Sequence, residues 1–149
     1  MKFLLLQDAG IHEKNKHLRE CLVLQRGIQN TGHQCDVWGK GYDFPKPDID
    51  SYDVVIDMWE AYHEHLDLSA VKTTKFLWVC DSHINGEDLY LDIANRGKFD
   101  GILKTSERMF LGCDIPSYWF KPWIDLNFID RQESEKIHFM GFCGNRFNE

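Results

Sequence analysis

The chain has 149 residues, of which 43% are hydrophobic and 28% charged, and its formal net charge at pH 7 is −7. These values are typical of one soluble globular domain that can bury a sizeable core. The acidic balance argues against a nucleic-acid backbone as the main partner, because phosphate neutralisation needs clustered lysine and arginine. No apolar run approaches the roughly 18 residues of a membrane span, and the chain starts with a short strand pattern instead of a signal peptide.

The cysteines predict a reducing compartment. They are odd in number, widely spaced and without a Cys-x-x-Cys pair: Cys21, Cys35, Cys80, Cys113 and Cys143. Because most of them stand among apolar neighbours, we expect buried free thiols in the cytosol and therefore a cytoplasmic protein.

The first half of the chain alternates short apolar runs with a helical pattern. Continuous apolar runs suit strands that are buried on both faces of a parallel sheet, and they predict strands at residues 3–6 and 53–58. A further strand is predicted at residues 33–38. Apolar residues at helical spacing predict a helix over residues 12–30 that ends at Asn30-Thr31-Gly32. Residues 39–51 carry two glycines and two prolines and are expected to form a loop.

The second half continues this alternation. Further apolar runs predict strands at residues 75–80, 101–104 and 118–120. Residues 59–68 predict a loop or short helix, Asn85 is expected to cap a helix over residues 86–96, and another short helix is expected near Ser106. Strands alternating with helices predict an α/β fold with a Rossmann-like, doubly wound parallel sheet. Its expected core consists of apolar strand residues: Leu4, Leu5, Val54, Val55, Ile56, Leu77, Val79 and Ile102.

Residues 137–149 predict the opening of a second α/β unit. An apolar strand at 137–140 leads into a turn spaced by Gly141 and Gly144 and followed by Asn145. Glycines let backbone N–H groups approach a phosphate closely, although a lone Gly-x-x-Gly also suits a simple turn. We therefore expect a Rossmann-like domain over residues 1–124, a charged linker over 125–136, and the start of an incomplete domain over 137–149.

Four stretches of the chain, taken in order, carry a resemblance to a known family. They are Asn-Thr-Gly-His at 30–33 before Val37-Trp38, Phe-Leu-Trp-Val-Cys-Asp-Ser-His at 76–83, Lys-Phe-Asp-Gly-Ile-Leu at 98–103, and Trp-Phe-Lys-Pro-Trp-Ile-Asp at 119–125 with His-Phe-Met-Gly-Phe-Cys-Gly-Asn-Arg at 138–146. The last of these is the most specific. Their order and spacing resemble the amino-terminal half of GT-B glycosyltransferases, especially the spore-maturation-protein-like family, over nearly the whole chain.

The resemblance implies transfer of a sugar from a nucleotide sugar to an acceptor hydroxyl on a glycan, protein or small molecule. It implies no cofactor besides this nucleotide-sugar co-substrate. In such enzymes the carboxy-terminal half binds the donor, and the amino-terminal half supplies contacts to the acceptor. The chain departs from the family because the acidic donor-sugar motif and the nucleotide pocket have no counterpart in it. Residues 137–149 would begin a missing carboxy-terminal, donor-binding domain, so the isolated chain is expected to be inactive.

The candidate site residues follow the ends of predicted strands, where ligands of doubly wound sheets bind. Asp81 and His83 follow the fourth strand and are candidates for a catalytic base that takes a proton from the acceptor hydroxyl, although either Asp81 or Ser82 could instead cap a turn. Gly10 and His12 follow the first strand as candidate substrate contacts, with a solvated loop histidine as the alternative. The remaining substrate-binding candidates form the glycine turn: Gly141, Gly144 and Asn145.

A metal site is a further hypothesis that the sequence raises. Its candidate ligands are Glu60, His63, Glu64 and His65, with Asp81 and His83 nearby. His-x-His spacing with carboxylates can bind zinc. The run has neither helical His-x-x-x-His spacing nor paired cysteines, so a polar loop is the favoured interpretation and we expect no metal.

Two other classes of function remain open. Asp8, Asp57, Ser82 and Lys104 fall at the ends of strands one, three, four and five, which is the arrangement of a phosphoacceptor receiver domain. Against it, the expected acidic pair is reduced to Gln7-Asp8, and no proline follows Lys104. The other alternative is a non-catalytic module that binds a sugar nucleotide or a partner.

Overall fold

A computed structural model of the protein describes residues 1–9, 19–58, 67–80 and 86–120. These residues form six strands: β1 (Lys2–Leu6), β2 (Gln34–Trp38), β3 (Val54–Asp57), β4 (Thr74–Val79), β5 (Gly101–Lys104) and β6 (Ser117–Trp119). They also form two α-helices, α1 (Glu20–Asn30) and α2 (Glu87–Arg96), and single 3-10 turns at Ile49–Ser51 and Leu68–Ala70. Neither helix in this part of the chain is long and apolar enough to cross a membrane.

The six strands make one parallel sheet in the order β2-β1-β3-β4-β5-β6. This confirms the expected Rossmann-like α/β fold. Parallel neighbours cannot be joined by a tight hairpin, so each connection has to cross back over a face of the sheet. The carboxyl ends of all six strands consequently lie along one edge, called here the carboxyl edge, and the amino ends lie along the opposite edge.

Successive strand residues alternate between two cores, one on each face of the sheet. In β1, Leu4 and Leu6 face the core that contains α2, whereas Leu5 faces the core that contains Cys21 of α1. β4 behaves the same way, with Leu77 on the α2 face and Trp78 on the α1 face. All eight residues expected in the core are buried. Strands sandwiched between two helical layers have no solvated face, which explains why their sequences are continuous apolar runs.

The end of α1 follows the sequence expectation closely. Gly32 has φ +84°, its N–H donates to Gln29 C=O (2.9 Å), and the N–H of His33 donates to Ile28 C=O (3.4 Å). This pair of bonds is a Schellman motif, which closes a helix with a left-handed residue immediately after the C-cap. The expected start of the helix at residue 12 lies outside the described residues, within which α1 begins at Glu20.

Two expectations for the second half are corrected. The residue at the N-cap of α2 is Gly86, with φ +82° and no side-chain cap, and the helix starts at Glu87 rather than at residue 86 as expected with an Asn85 cap. The helix expected near Ser106 is a series of turns. Lys104 Nζ binds the carbonyl oxygens of Glu107 (3.2 Å) and Met109 (2.7 Å), which a helix would need for the N–H groups four residues later.

Candidate functional site

The strand order places a topological switch point between β1 and β3. From β1, the sheet continues through β2 in one direction and through β3 in the other. Ligands of doubly wound sheets generally bind outside the carboxyl ends of the strands at such a point. The candidate functional site is therefore the part of the carboxyl edge that surrounds the ends of these two strands.

Buried polar residues concentrate at this edge. Of the four buried polar or charged residues in the described part of the chain, Gln7, Asp57 and Lys104 stand at or directly after the ends of β1, β3 and β5. The fourth, Lys75, lies near the amino end of β4. Burying a polar group is costly unless its hydrogen bonds are replaced, so each of these positions reflects a specific local arrangement.

Gln7 joins the end of β1 to the start of α1. Its side chain is 1% exposed, and Oε1 accepts a hydrogen bond from the N–H of Cys21 (3.0 Å), in the first turn of α1. The helix offers no side-chain cap of its own at Arg19. Gln7 therefore satisfies one of the N–H groups that a helix start leaves without an intrahelical partner, and it brings that helix end to the carboxyl edge.

The chain after Gln7 is bound to the chain after β2. Asp8 Oδ1 accepts from the N–H of Lys40 (2.8 Å), and the N–H of Ala9 donates to Lys40 C=O (2.9 Å). Gly41, with φ +88°, lies so close that a Cβ on it would be 3.1 Å from the Ala9 Cβ. These contacts extend the β1–β2 pairing past the strand ends, so this rim of the site is held by main-chain bonds as well as by packing.

Asp57 forms the floor of the site on the β3 side. It is the last residue of β3, is paired in register with Leu6 and Leu77, and is fully buried on the face that these two leucines share. A carboxylate among leucines is expensive unless polar groups surround its oxygens. Its position agrees with the expectation that Asp57 falls at the end of the third strand.

Lys104 and Glu87 shape the far side of the carboxyl edge. Besides the bonds of Lys104 Nζ to the turns after β5, Glu87 Oε2 accepts from the N–H of Phe110 (2.8 Å). Phe110 is 2% exposed and has φ +55°, a left-handed conformation that is unusual for a bulky residue. Side chains from β5 and α2 thus both bind main-chain groups of residues 107–110.

The catalytic and substrate-binding candidates lie outside the described residues. They are Gly10, His12, Asp81, His83, Gly141, Gly144 and Asn145, and the same holds for the metal candidates Glu60, His63, Glu64 and His65. Their roles stay predictions. Among the residues that are described, no group of three or more histidine, cysteine, aspartate or glutamate side chains is arranged to hold a metal ion.

Three of the four residues of the receiver hypothesis are described, and Ser82 is not. The structure brings Asp8 and Asp57 to the ends of neighbouring strands and places Lys104 two strands beyond β3. Asp57 has no exposed surface, and Lys104 Nζ is hydrogen-bonded to carbonyl oxygens of its own loop.

Sequence reasoning missed the structural roles of Gln7 and Glu87. A polar residue directly after an apolar strand is a usable signal for Gln7, since such a residue stands where the chain leaves the sheet. Glu87 had no comparable signal, because its bond to Phe110 joins residues 23 positions apart.

No protein-family model, curated protein or solved structure with which the chain was compared matches it.

Proposed function

We propose that the chain is the acceptor-side domain of a GT-B glycosyltransferase, which transfers a sugar from a nucleotide sugar to an acceptor hydroxyl. The observation that carries the proposal is the switch point at the carboxyl ends of β1 and β3. Gly10 follows the last residue of β1 by four positions, and Asp81 follows the last residue of β4 by two. The resemblance implies acceptor contacts for the amino-terminal half, and the strand-end rule points to these segments within it.

In the proposed chemistry the acceptor-side domain and the donor-binding domain have different roles. Asp81 or His83 takes the proton from the acceptor hydroxyl as that oxygen attacks the sugar, and the departing diphosphate needs positive or N–H groups near its developing charge. The acceptor-side domain orients the hydroxyl. Once the donor is held in line with it, this orientation contributes substantially to the rate of transfer. Rigid main-chain bonds around Asp8 and Lys40 support such positioning, because a loose rim would let the hydroxyl move.

Amide chemical shifts of the 15N-labelled chain test where sugars bind. We expect simple glycosides, which stand in for the acceptor, to shift the amides of Asp8, Ala9, Met58, Cys80 and Thr105 at the carboxyl edge. The amides of Asp53, Thr74 and Asp100, at the amino edge, are the internal control and should stay in place. Shifts confined to the amino edge, or none with any member of the panel, would contradict the proposal.

Variants test the assignment of the base. The assay uses the chain joined to a donor-binding half, because the isolated chain is expected to be inactive. In that protein, Asp81→Asn or His83→Gln should lower kcat by ~10²–10⁴ if the residue is the general base, with a smaller effect on KM. A kcat that neither variant changes would remove both residues from the chemistry.

The receiver hypothesis is the second candidate, because the order 2-1-3-4-5 is also that of receiver sheets. A phosphoacceptor must be reached by its phosphoryl donor, whereas Asp57 is fully buried. We expect acetyl phosphate with Mg²⁺ to add no phosphoryl group to the intact chain, as read by mass spectrometry. Stoichiometric labelling that Asp57→Asn abolishes would reverse the ranking of the two functions.

A further inference from the structure

A cleft of about 350 Å³ lies along the free edge of β2, away from the carboxyl edge. Its volume is at the lower end of the range for small-molecule sites. The apolar part of its lining comes from the sheet and from the loop after β2: Leu4, Val37, Phe44, Pro45 and Pro47. Polar side chains complete it: Gln25, Asp36, Lys46 and Tyr52.

The cleft lies between β2 and the loop that follows it. Main-chain groups of a strand point alternately to its two sides, and Gln34 and Trp38 bond to the β1 side, so Cys35 and Val37 face the free edge. The C=O of Cys35 accepts from two side chains of α1, Gln25 (2.8 Å) and Gln29 (3.1 Å). On the loop side of the lining, Pro45 and Pro47 have no N–H to donate to the strand.

The ring of Phe44 is held in place at the mouth of the cleft. It stacks on Tyr42 with ring centroids 5.2 Å apart and an interplanar angle of 24°. The Tyr42 hydroxyl in turn lies 3.5 Å from the thiol of the buried Cys21. Phe44 is nevertheless 48% exposed, so a flat apolar surface is presented to solvent on a fixed support. Exposed aromatic rings of this kind favour a ligand with an apolar face.

The polar side chains of the cleft offer both acceptors and donors. Tyr52 donates its hydroxyl proton to Asp36 Oδ2 (2.9 Å), which leaves lone pairs on the phenol oxygen and the second oxygen of the carboxylate. The bond from Gln25 Nε2 to Cys35 C=O leaves the Gln25 Oε1 as an acceptor and one N–H as a donor, and the ammonium group of Lys46 adds further donors. A matching ligand therefore both donates and accepts hydrogen bonds.

The charges around the cleft are of both signs. An anion is attracted by Lys46 and repelled by Asp36, and the reverse holds for a cation, so the two opposite charges largely cancel for an ion of either sign. Lys2 Nζ lies 4.1 Å from the centre of the Tyr52 ring, in a cation–π contact. A neutral polyhydroxyl molecule with an apolar face can donate to Asp36 and accept from Lys46, and it can pack on Phe44. We propose that this cleft binds a neutral mono- or disaccharide, at a site separate from the carboxyl edge and independent of sugar transfer there.

Saccharide titrations of the 15N-labelled chain test this proposal. The probes are glucose, N-acetylglucosamine, mannose, maltose and cellobiose, with choline and inorganic phosphate as charged comparisons. We expect at least one saccharide to shift the amides of Gln25, Asp36, Val37, Phe44, Lys46 and Tyr52 in a saturable way, and neither ion to do so. Because the carboxyl-edge amides are a different set, failure of this site and failure of the proposed transfer site are read separately.

Two variants with matched controls identify the contacts. Asp36→Asn replaces an acceptor by a donor and should raise the Kd by about tenfold or more, since hydrogen bonds to a charged group are strong. Phe44→Ala removes an exposed ring, leaves the core intact and should raise the Kd several-fold. Asp114→Asn and Leu111→Ala, at exposed positions outside the lining, should leave the Kd unchanged.

Three outcomes would overturn the proposal. The first is that no saccharide shifts the lining amides at tens of millimolar. The second is that choline or phosphate shifts them in place of the saccharides. The third is a Kd that stays the same in both Asp36→Asn and Phe44→Ala.

Discussion

Each of the two helices is closed by a residue in the left-handed conformation, but the type of residue differs. α1 is followed by Gly32 at φ +84°, whereas after α2 this position is taken by Lys98 at φ +52°. The same pair of bonds closes α2, from Lys98 N–H to Asn95 C=O and from Phe99 N–H to Ala94 C=O. A side chain at positive φ crowds its own backbone, so Lys98 stores strain that Gly32 avoids.

Three substitutions measure the energetic cost of a side chain at a positive φ. Gly32→Ala should lower the free energy of unfolding by about 1 kcal/mol, since no atom surrounds the added Cβ and only its φ is unfavourable. Gly27→Ala, at an equally open site inside α1, should raise it by about 1 kcal/mol through helix propensity. Lys98→Gly should be stabilising as well. Urea denaturation provides all three values, and equal signs for the two alanine variants would contradict the explanation.

The thiols of Cys21 and Cys35, on the α1 face of the sheet, are expected to be unreactive because they are buried. Burial raises the pKa of Cys21 to about 11, against a smaller lowering by the hydrogen bond with Tyr42. Burial, followed by the nearby Asp36 carboxylate, raises the pKa of Cys35 to about 12. The thiolate is the reactive form, so both groups should resist alkylation in the folded protein.

The same shifts predict loss of stability in alkali. Both pKa values are raised above the ordinary value of 9.0, so above that pH the unfolded chain releases protons that the folded chain keeps. The free energy of unfolding should therefore be constant below about pH 9 and fall as the pH rises toward 11–12. Tyr52, whose pKa burial raises to about 12, adds to the decline at its upper end.

Urea denaturation across this pH range is the measurement. Cys35→Ala should reduce the slope of stability against pH, whatever its effect on absolute stability, and Cys80→Ala at an exposed thiol is the matched control. A slope that Cys35→Ala leaves unchanged would show that other groups cause the alkaline transition.

At the scale of elements, α2 and the turns after β5 depend on each other through one side chain. Glu87 in the first turn of α2 accepts the N–H of the buried Phe110. The bond holds Phe110 at a positive φ and thereby fixes the direction in which the chain continues toward β6.

Glu87→Ala should destabilise the protein by about 1–3 kcal/mol, because it leaves a buried N–H without its acceptor. Glu87→Gln keeps an acceptor oxygen and should cost less. Asp88→Ala, at an exposed residue of the same helical turn, controls for the favourable effect of an acidic group near the helix start. Thermal or urea unfolding ranks the three variants, and a similar loss for Glu87→Ala and Asp88→Ala would assign the effect to the helix dipole alone.

At the scale of the whole molecule, stability rests on the two cores that the sheet separates. Leu77 is fully buried on the α2 face, in a strand flanked by β3 and β5. Leu77→Ala should cost about 2–5 kcal/mol, since the central sheet cannot collapse around the missing methyl groups. Leu111→Ala, at a leucine that is 75% exposed, is the control and should change stability by less than about 0.5 kcal/mol. Urea denaturation of both variants would contradict this account if their losses were similar.

Much of the fold could be predicted from sequence because the signals are local. β5 was predicted with its observed bounds, and the other strands within one residue at each end. For β1, β3, β4 and β5 the physical reason is that a doubly buried strand requires a largely apolar run. The turns at Ser106 were predicted as a helix, because nothing in that segment indicates that a lysine from β5 binds its carbonyl oxygens. For the candidate site, the sequence identified the carboxyl ends of the strands but not the bonds of Gln7 and Glu87.

The sequence by itself determined the six strands, the parallel sheet and the core, because hydrophobic periodicity and turn chemistry depend on residues close together in the chain. Only the tertiary structure decided the strand order, and with it the switch point between β1 and β3. It also decided the buried position of Lys75. The ammonium group of Lys75 binds the C=O of Leu68 (2.8 Å) and Val71 (2.9 Å), and burial lowers its pKa. The cleft beside β2 is likewise a feature that only the tertiary structure decided. Contacts between distant segments depend on how whole elements pack, and no short stretch of sequence encodes that packing.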